Sequence, residues 1–273
     1  MYHQRIDLPT EGAYLETYFL AASDRLKNSQ SRPLVLICPG GGYSYTTDRE
    51  AEPLALAFAS RGYHAAVLRY PCAPARFPTA LVSLGRAVLW LRAHAEEFHI
   101  DAGKLCVSGY SAGGHLAASL GVFWQEKFLR DLLCCASEDI RPQALLLGYP
   151  VITHQGEVGD RYSIMNLVGE EADEAAVAYQ SLQNHVTEQV PSTFLWHTDT
   201  DELVAVANSL AFAAALKRCG VSLEMHIYSV GVHGLSLSNA VTADTLEGKE
   251  RVCPDCTGWI DLAGNWLRRQ FGV

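Results

Sequence analysis

The chain has 273 residues, with 21 Lys and Arg against 30 Asp and Glu, a formal charge of −9. Its 49% apolar content excludes general disorder, and the acidic balance excludes a protein that works by neutralising phosphates. No apolar run approaches the roughly 18 residues of a membrane-spanning helix. The start, Met1 to Pro9, lacks the basic-then-apolar layout of a signal peptide. The expectation is one cytoplasmic domain over residues 1–273, without nucleic-acid or membrane partners.

In chain order, Tyr14 to Leu20 reads as an early strand. Leu34 to Cys38, Ala65 to Leu68, Leu105 to Ser108, Ala144 to Leu147, Thr193 to Trp196 and Leu223 to Tyr228 follow as short apolar strands. Between them Glu50 to Ser60, Ala112 to Trp124 and Gly258 to Arg269 read as helices. So do two apolar stripes, Leu81, Leu84, Val88 and Leu91, then Leu203, Ala207, Leu210 and Ala214. This alternation predicts an α/β fold: a mostly parallel sheet with helices on both faces and chemistry on the loops that follow strands. The polar stretch from about residue 153 to 190 breaks the rhythm and predicts a small insertion or helical cap near the site.

The eight cysteines are too sparse for a disulfide scaffold. Cys253-Pro254-Asp255-Cys256 supplies only half of a tetrahedral zinc site, and no matching second pair exists. No metal and no cofactor are expected.

Gly109-Tyr110-Ser111-Ala112-Gly113 lies between a predicted strand and a predicted helix. A tight strand-to-helix turn strains the serine backbone and exposes its Oγ, and the flanking glycines avoid Cβ clashes. The alternative is a plain Gly-rich turn. A serine hydroxyl needs a base. Of ten histidines, His233 in Gly231-Val232-His233-Gly234 follows the last predicted strand and is the best placed. His115 reads as a packed helix residue, and His197 as a brace for the acid loop. That loop, His197 to Glu202, offers Asp201 as the carboxylate that orients the base, with Asp199 as its rival. The plain reading of Asp201 is a helix N-cap. In Cys38-Pro39-Gly40-Gly41-Gly42-Tyr43 the N–H groups of Gly41 and Gly42, with that of Ala112, are candidate donors to a tetrahedral oxyanion. Neither a Walker motif nor a G-x-G-x-x-G spacing is present to make it a phosphate loop.

These motifs resemble the α/β-hydrolase superfamily, most closely its small bacterial acetyl-esterase and acetylxylan-esterase-like carboxylesterases, relatives of the hormone-sensitive-lipase-like esterases. The resemblance covers nearly the whole chain. It also rests on Arg69-Tyr70-Pro71, Phe77-Pro78, Gly114-His115, Phe194 to Asp201 and His233-Gly234-Leu235. Two positions depart from it: Pro39 stands where many relatives carry His, and Val204-Ala205 where they often carry Val-Pro.

The order Ser111, Asp201, His233 matches the family order. The resemblance therefore implies Ser111 as nucleophile, Asp201 as acid, His233 as base and Gly41, Gly42 and Ala112 as the oxyanion hole. It implies a small-molecule ester as substrate, with acetylated sugars or xylo-oligosaccharides as the natural class, and it admits a homodimer. Tyr43 beside the oxyanion loop and Tyr110 beside the nucleophile are expected to line a narrow acyl pocket, with Trp196 as a sugar-stacking candidate. A serine peptidase or amidase on the same fold, and a non-catalytic ligand-binding protein, remain alternatives.

Overall fold

Leucine- and valine-rich runs without polar alternation call for strands covered on both faces. The computed structural model, which describes residues 1–154, 159–246 and 249–272, arranges them in this way. Eight strands form one sheet: β1 (Tyr2–Asp7), β2 (Tyr14–Phe19), β3 (Arg32–Cys38), β4 (His64–Arg69), β5 (Ile100–Tyr110), β6 (Ala144–Gly148), β7 (Ser192–Thr198) and β8 (Leu223–Tyr228). Their order is β1-β2-β4-β3-β5-β6-β7-β8. β1 and β2 pair antiparallel with each other and β2 with β4; every other pairing is parallel.

The helices are α1 (Glu52–Ala59), α2 (Thr79–Ala93), α3 (Ala95–Phe98), α4 (Ala112–Phe123), α5 (Lys127–Leu133), α6 (Ser137–Ile140), α7 (Arg161–Val168), α8 (Glu174–Tyr179), α9 (Ala207–Arg218) and α10 (Trp259–Phe271). Along β3, Leu34, Leu36 and Cys38 enter one core with α2, α4 and α9. Val35 and Ile37 enter the other with α1 and α10. Among the described residues no helix is long and apolar enough to cross a membrane.

The chain runs from β3 outward to β4, then crosses back to lay β5 on the other side of β3. The carboxyl ends of β3 and β5 therefore flank a switch point, where open α/β sheets leave a crevice.

Two features depart from the sequence reading, and a third bears it out. β1 was not anticipated: it is almost wholly exposed, so no apolar run marks it, and pairing with β2 is its main support. The stripe Leu203, Ala207, Leu210 and Ala214 is not an inner face. The helix starts at Ala207, and Leu203 and Leu210 are exposed. The buried face carries Asn208, Ser209, Phe212, Ala213, Ala215 and Leu216. Asn208 is turned inward because its Oδ1 accepts the N–H groups of Ile152 and Thr153, each at 3.0 Å. Finally, the stretch predicted as an insertion contains α7 and α8, capped by Asp160 on Ser163 N–H and by Asp173 on Ala176 N–H. Residues 155–158 of it lie outside the described residues.

Candidate active site

Ser111 sits between β5 and α4 with φ +54°, the strained left-handed region that the strand-to-helix turn imposes. Its N–H donates to Gly148 O and its carbonyl accepts from Val151 and His115, so neighbouring backbone fixes the strain. The turn works only because α4 lies close against β3. A Cβ at Gly113 would fall 2.1 Å from Cys38 O.

Ser111 Oγ is 2.8 Å from His233 Nε2, and His233 Nδ1 is 2.7 Å from Asp201 Oδ2. All three residues are at least nine-tenths buried. The other oxygen of Asp201 accepts the N–H groups of Leu203 and Val204, each at 3.0 Å. Asp201 thus acts both as the cap-like acceptor of a turn and as the acceptor for His233, one oxygen for each role. Burial pushes its carboxyl pKa up, but hydrogen bonds from His197 and His233 outweigh that and hold it below the usual carboxylate range. Asp199, the rival acid, is exposed and makes no hydrogen bond to His233.

The loop after β3 brings Gly41 and Gly42 to the same place. Gly40 N–H is taken by Glu50 Oε2 at 2.7 Å. The N–H groups of Gly41, Gly42 and Ala112 have no partner among the described residues. Gly41 has φ +129°, and a Cβ there would lie 2.2 Å from Tyr45 O, so the turn requires glycine. Asn166 of α7 donates to Gly42 O at 2.8 Å and ties the predicted insertion to this loop.

A cavity of about 380 Å³ opens over Ser111 and His233, with Gly41 and Gly42 in its wall. Tyr45 and Tyr162 also line it, and both are well exposed. Asp160 lines it too, and burial raises its carboxyl pKa.

The expectation that Tyr43 and Tyr110 line this cavity is corrected. Tyr43 is buried, and its hydroxyl meets His115 Nδ1 at 2.9 Å. Tyr110 is buried against Tyr149 and Trp259, with its hydroxyl 3.0 Å from Ser108 Oγ. The two side chains flank the loops in sequence but turn into the core. Trp196 is also buried, stacked on Trp259 with centroids 4.8 Å apart. Tyr45 and Tyr162 were missed. Tyr45 lies three residues beyond Gly42, close enough for that proximity to have flagged it, whereas Tyr162 is distant in sequence.

His115 is a packed residue, as anticipated: its Nε2 meets Gln180 O at 2.9 Å, and burial lowers its pKa to about 4. His197 braces the acid loop through Asp201 Oδ2 at 3.2 Å. Cys253 and Cys256 are free thiols with sulfurs 3.5 Å apart. Among the described residues no group of three or more His, Cys, Asp or Glu side chains is placed to hold a metal ion.

The model of the BD-FAE family matches residues 25–216. Endo-1,4-beta-xylanase B of Butyrivibrio fibrisolvens is 33% identical over 213 residues, which cover 76% of this chain and 33% of that protein. The chain spans between a third and a half of the length of the first curated relatives it matches. A solved acetyl ester-xyloside bifunctional hydrolase from Caldicellulosiruptor lactoaceticus is 34% identical, with 95% of this chain and 88% of that one covered and a TM-score of 0.79. The carboxylesterase Cest-2923 from Lactobacillus plantarum WCFS1 is 28% identical, with 98% and 97% covered and a TM-score of 0.85. The chain belongs to the BD-FAE family, esterases of the α/β-hydrolase fold related to hormone-sensitive lipase.

Proposed function

We propose that this protein hydrolyses short-chain carboxylic esters, with acetyl esters of sugars as its substrate class. The observation that carries the reading is the unbroken hydrogen-bonded line Ser111–His233–Asp201 opening onto a cavity walled by Gly41 and Gly42.

His233 Nε2 takes the Ser111 proton as Oγ attacks the ester carbonyl. The tetrahedral oxyanion is stabilised by the N–H groups of Gly41, Gly42 and Ala112. His233, now an imidazolium steadied by Asp201, protonates the leaving alcohol as its bond to carbon breaks. Water then attacks the acyl-serine with His233 again as base, which releases the acid and restores Ser111.

Two things support a sugar as the alcohol. The cavity wall mixes donors and acceptors (Arg49, Arg251, Asp160, Thr47) with the exposed rings of Tyr45 and Tyr162, a lining suited to a hydroxylated ring. Relatives named for xylan or xyloside chemistry, the two described above among them, support the same class.

The test is hydrolysis of p-nitrophenyl acetate, butyrate and octanoate, with acetanilide as the amide control and acetylated xylo-oligosaccharides as the sugar substrate. Ser111→Ala should lower kcat by about 10⁶. Rates that fall with acyl length and exceed those on the anilide support the reading. No serine-dependent ester turnover by folded protein overturns it, and faster turnover of octanoate overturns the short-acyl preference.

A further inference from the structure

A buried carboxylate is costly unless its oxygens are hydrogen-bonded. Glu50 is 1% exposed, makes no ion pair among the described residues, and yet uses both oxygens. Oε2 accepts Gly40 N–H at 2.7 Å, and Oε1 accepts the Tyr149 hydroxyl at 2.7 Å. The Tyr149 oxygen in turn accepts Ser236 N–H at 2.9 Å. The neighbouring backbone closes the ring: Ser236 Oγ donates to Arg49 O at 2.6 Å, and the Arg49 guanidinium donates to Gly234 O.

These contacts join three loops. Gly40 follows β3 and leads into Gly41. Tyr149 follows β6, and its ring meets that of His233 edge-on, with centroids 5.2 Å apart. Ser236 lies three residues past His233. Gly40 is also packed tightly between the carboxylate and the serine: a Cβ there would lie 2.8 Å from Glu50 Oε2 and 2.9 Å from Ser111 Cβ. A shift of Glu50 would therefore move the loop of oxyanion donors and the loop of the base together.

We infer that Glu50 is a positioning residue, holding the Gly40–Gly42 loop and the His233 loop in register for the ester hydrolysis proposed above, on which this inference rests. Its effect depends on being a double acceptor. Both of its partners are donors, so glutamine of the same shape sets an N–H₂ against one of them. Donors to an oxyanion lose most of their worth when displaced by a fraction of an ångström.

The experiment measures kcat and KM for p-nitrophenyl acetate in wild type, Glu50→Gln, Tyr149→Phe and Ser111→Ala, with circular dichroism to establish folding. Folded Glu50→Gln is expected to lose roughly 10- to 100-fold in kcat with KM within about twofold. Tyr149→Phe keeps the bond to Gly40 and cuts the branch to Ser236; a smaller loss, about 3- to 10-fold, is expected in kcat alone. Folded Glu50→Gln with wild-type kcat, or a change in KM alone, overturns the inference. If Glu50→Gln does not fold, Tyr149→Phe decides: lower kcat at unchanged KM supports it, and wild-type kcat overturns it. Wild type no more active than Ser111→Ala would instead sink the hydrolase reading itself.

Discussion

His197 shares an oxygen of Asp201 with His233. His197 Nε2 lies 3.2 Å from Asp201 Oδ2 and 2.9 Å from Val204 O. Two acceptors at one nitrogen assign the proton to Nε2, and Nδ1 then accepts from Ser209 Oγ at 2.7 Å. Asp201 is thereby held by a second imidazole that never reaches the cavity. His197→Leu removes this donor and leaves buried polar groups without partners. A stability loss of about 2–3 kcal/mol in urea unfolding is expected, with kcat about tenfold lower. Wild-type kcat in that variant would mean that His233 alone keeps Asp201 in place.

The two aspartates of the acid loop should behave very differently. Asp201→Asn is expected to cost about 10⁴ in kcat, because the amide can no longer fix the base in its working tautomer. Asp199 is exposed, and Asp199→Asn should stay within about twofold of wild type. The reverse pattern in steady-state kinetics would move the acid to Asp199.

Gly41→Ala forces a Cβ towards Tyr45 O at a backbone angle that L-residues rarely adopt. The loop must move, and kcat should fall by roughly 10² to 10³. Unchanged kcat would remove Gly41 from the oxyanion hole.

The correction at the tyrosines is testable as a pair. Tyr162→Ala removes an exposed ring from the cavity wall and should raise KM for acetylated xylo-oligosaccharides by about 3- to 10-fold with little change in kcat. Tyr43→Phe loses a buried hydroxyl that meets His115 and should cost about 1 kcal/mol of stability while leaving KM alone. If Tyr43→Phe shifted KM and Tyr162→Ala did not, the original placement of the acyl wall would return.

Two buried histidines set an acid limit on stability. Burial lowers His64 and His115 to about 4 each, from an ordinary value near 6.5. Between those values the unfolded chain binds more protons than the folded one. Stability is therefore fully present above pH 6.5 and is lost as pH falls towards 4, approaching about 1.4 kcal/mol per pH unit for each histidine. Urea unfolding at pH 7.5, 6 and 5 measures the slope, and His115→Gln should flatten it. An unchanged slope in that variant would mean that His115 protonates within the fold.

The parallel strands were legible because burial on both faces leaves continuous apolar runs, as in Leu34 to Cys38. Ser111 and Asp201 were legible because each stands just past such a run, and His233 because it follows the last strand, β8, where the sheet must leave its loops. Other features depend on contacts distant in sequence. β1 is held by pairing rather than burial. The inner face of α9 is chosen by hydrogen bonds of Asn208 and Ser209 to β6 and β7 neighbours, against a weak apolar pattern. Tyr43 faces inward because His115, on the helix after the nucleophile, offers its hydroxyl a partner.

The hydrogen bond from Asn166 to Gly42 O crosses from the segment that walls the cavity to the loop proposed to hold the oxyanion. Loop exchange is the usual route to new specificity in this architecture, since walls change while the scaffold stays. Here a graft of the wall that omits a donor at position 166 would release one of the glycines as well. Selectivity and turnover are thus tied at a single amide, and a transplanted wall has to bring that amide with it.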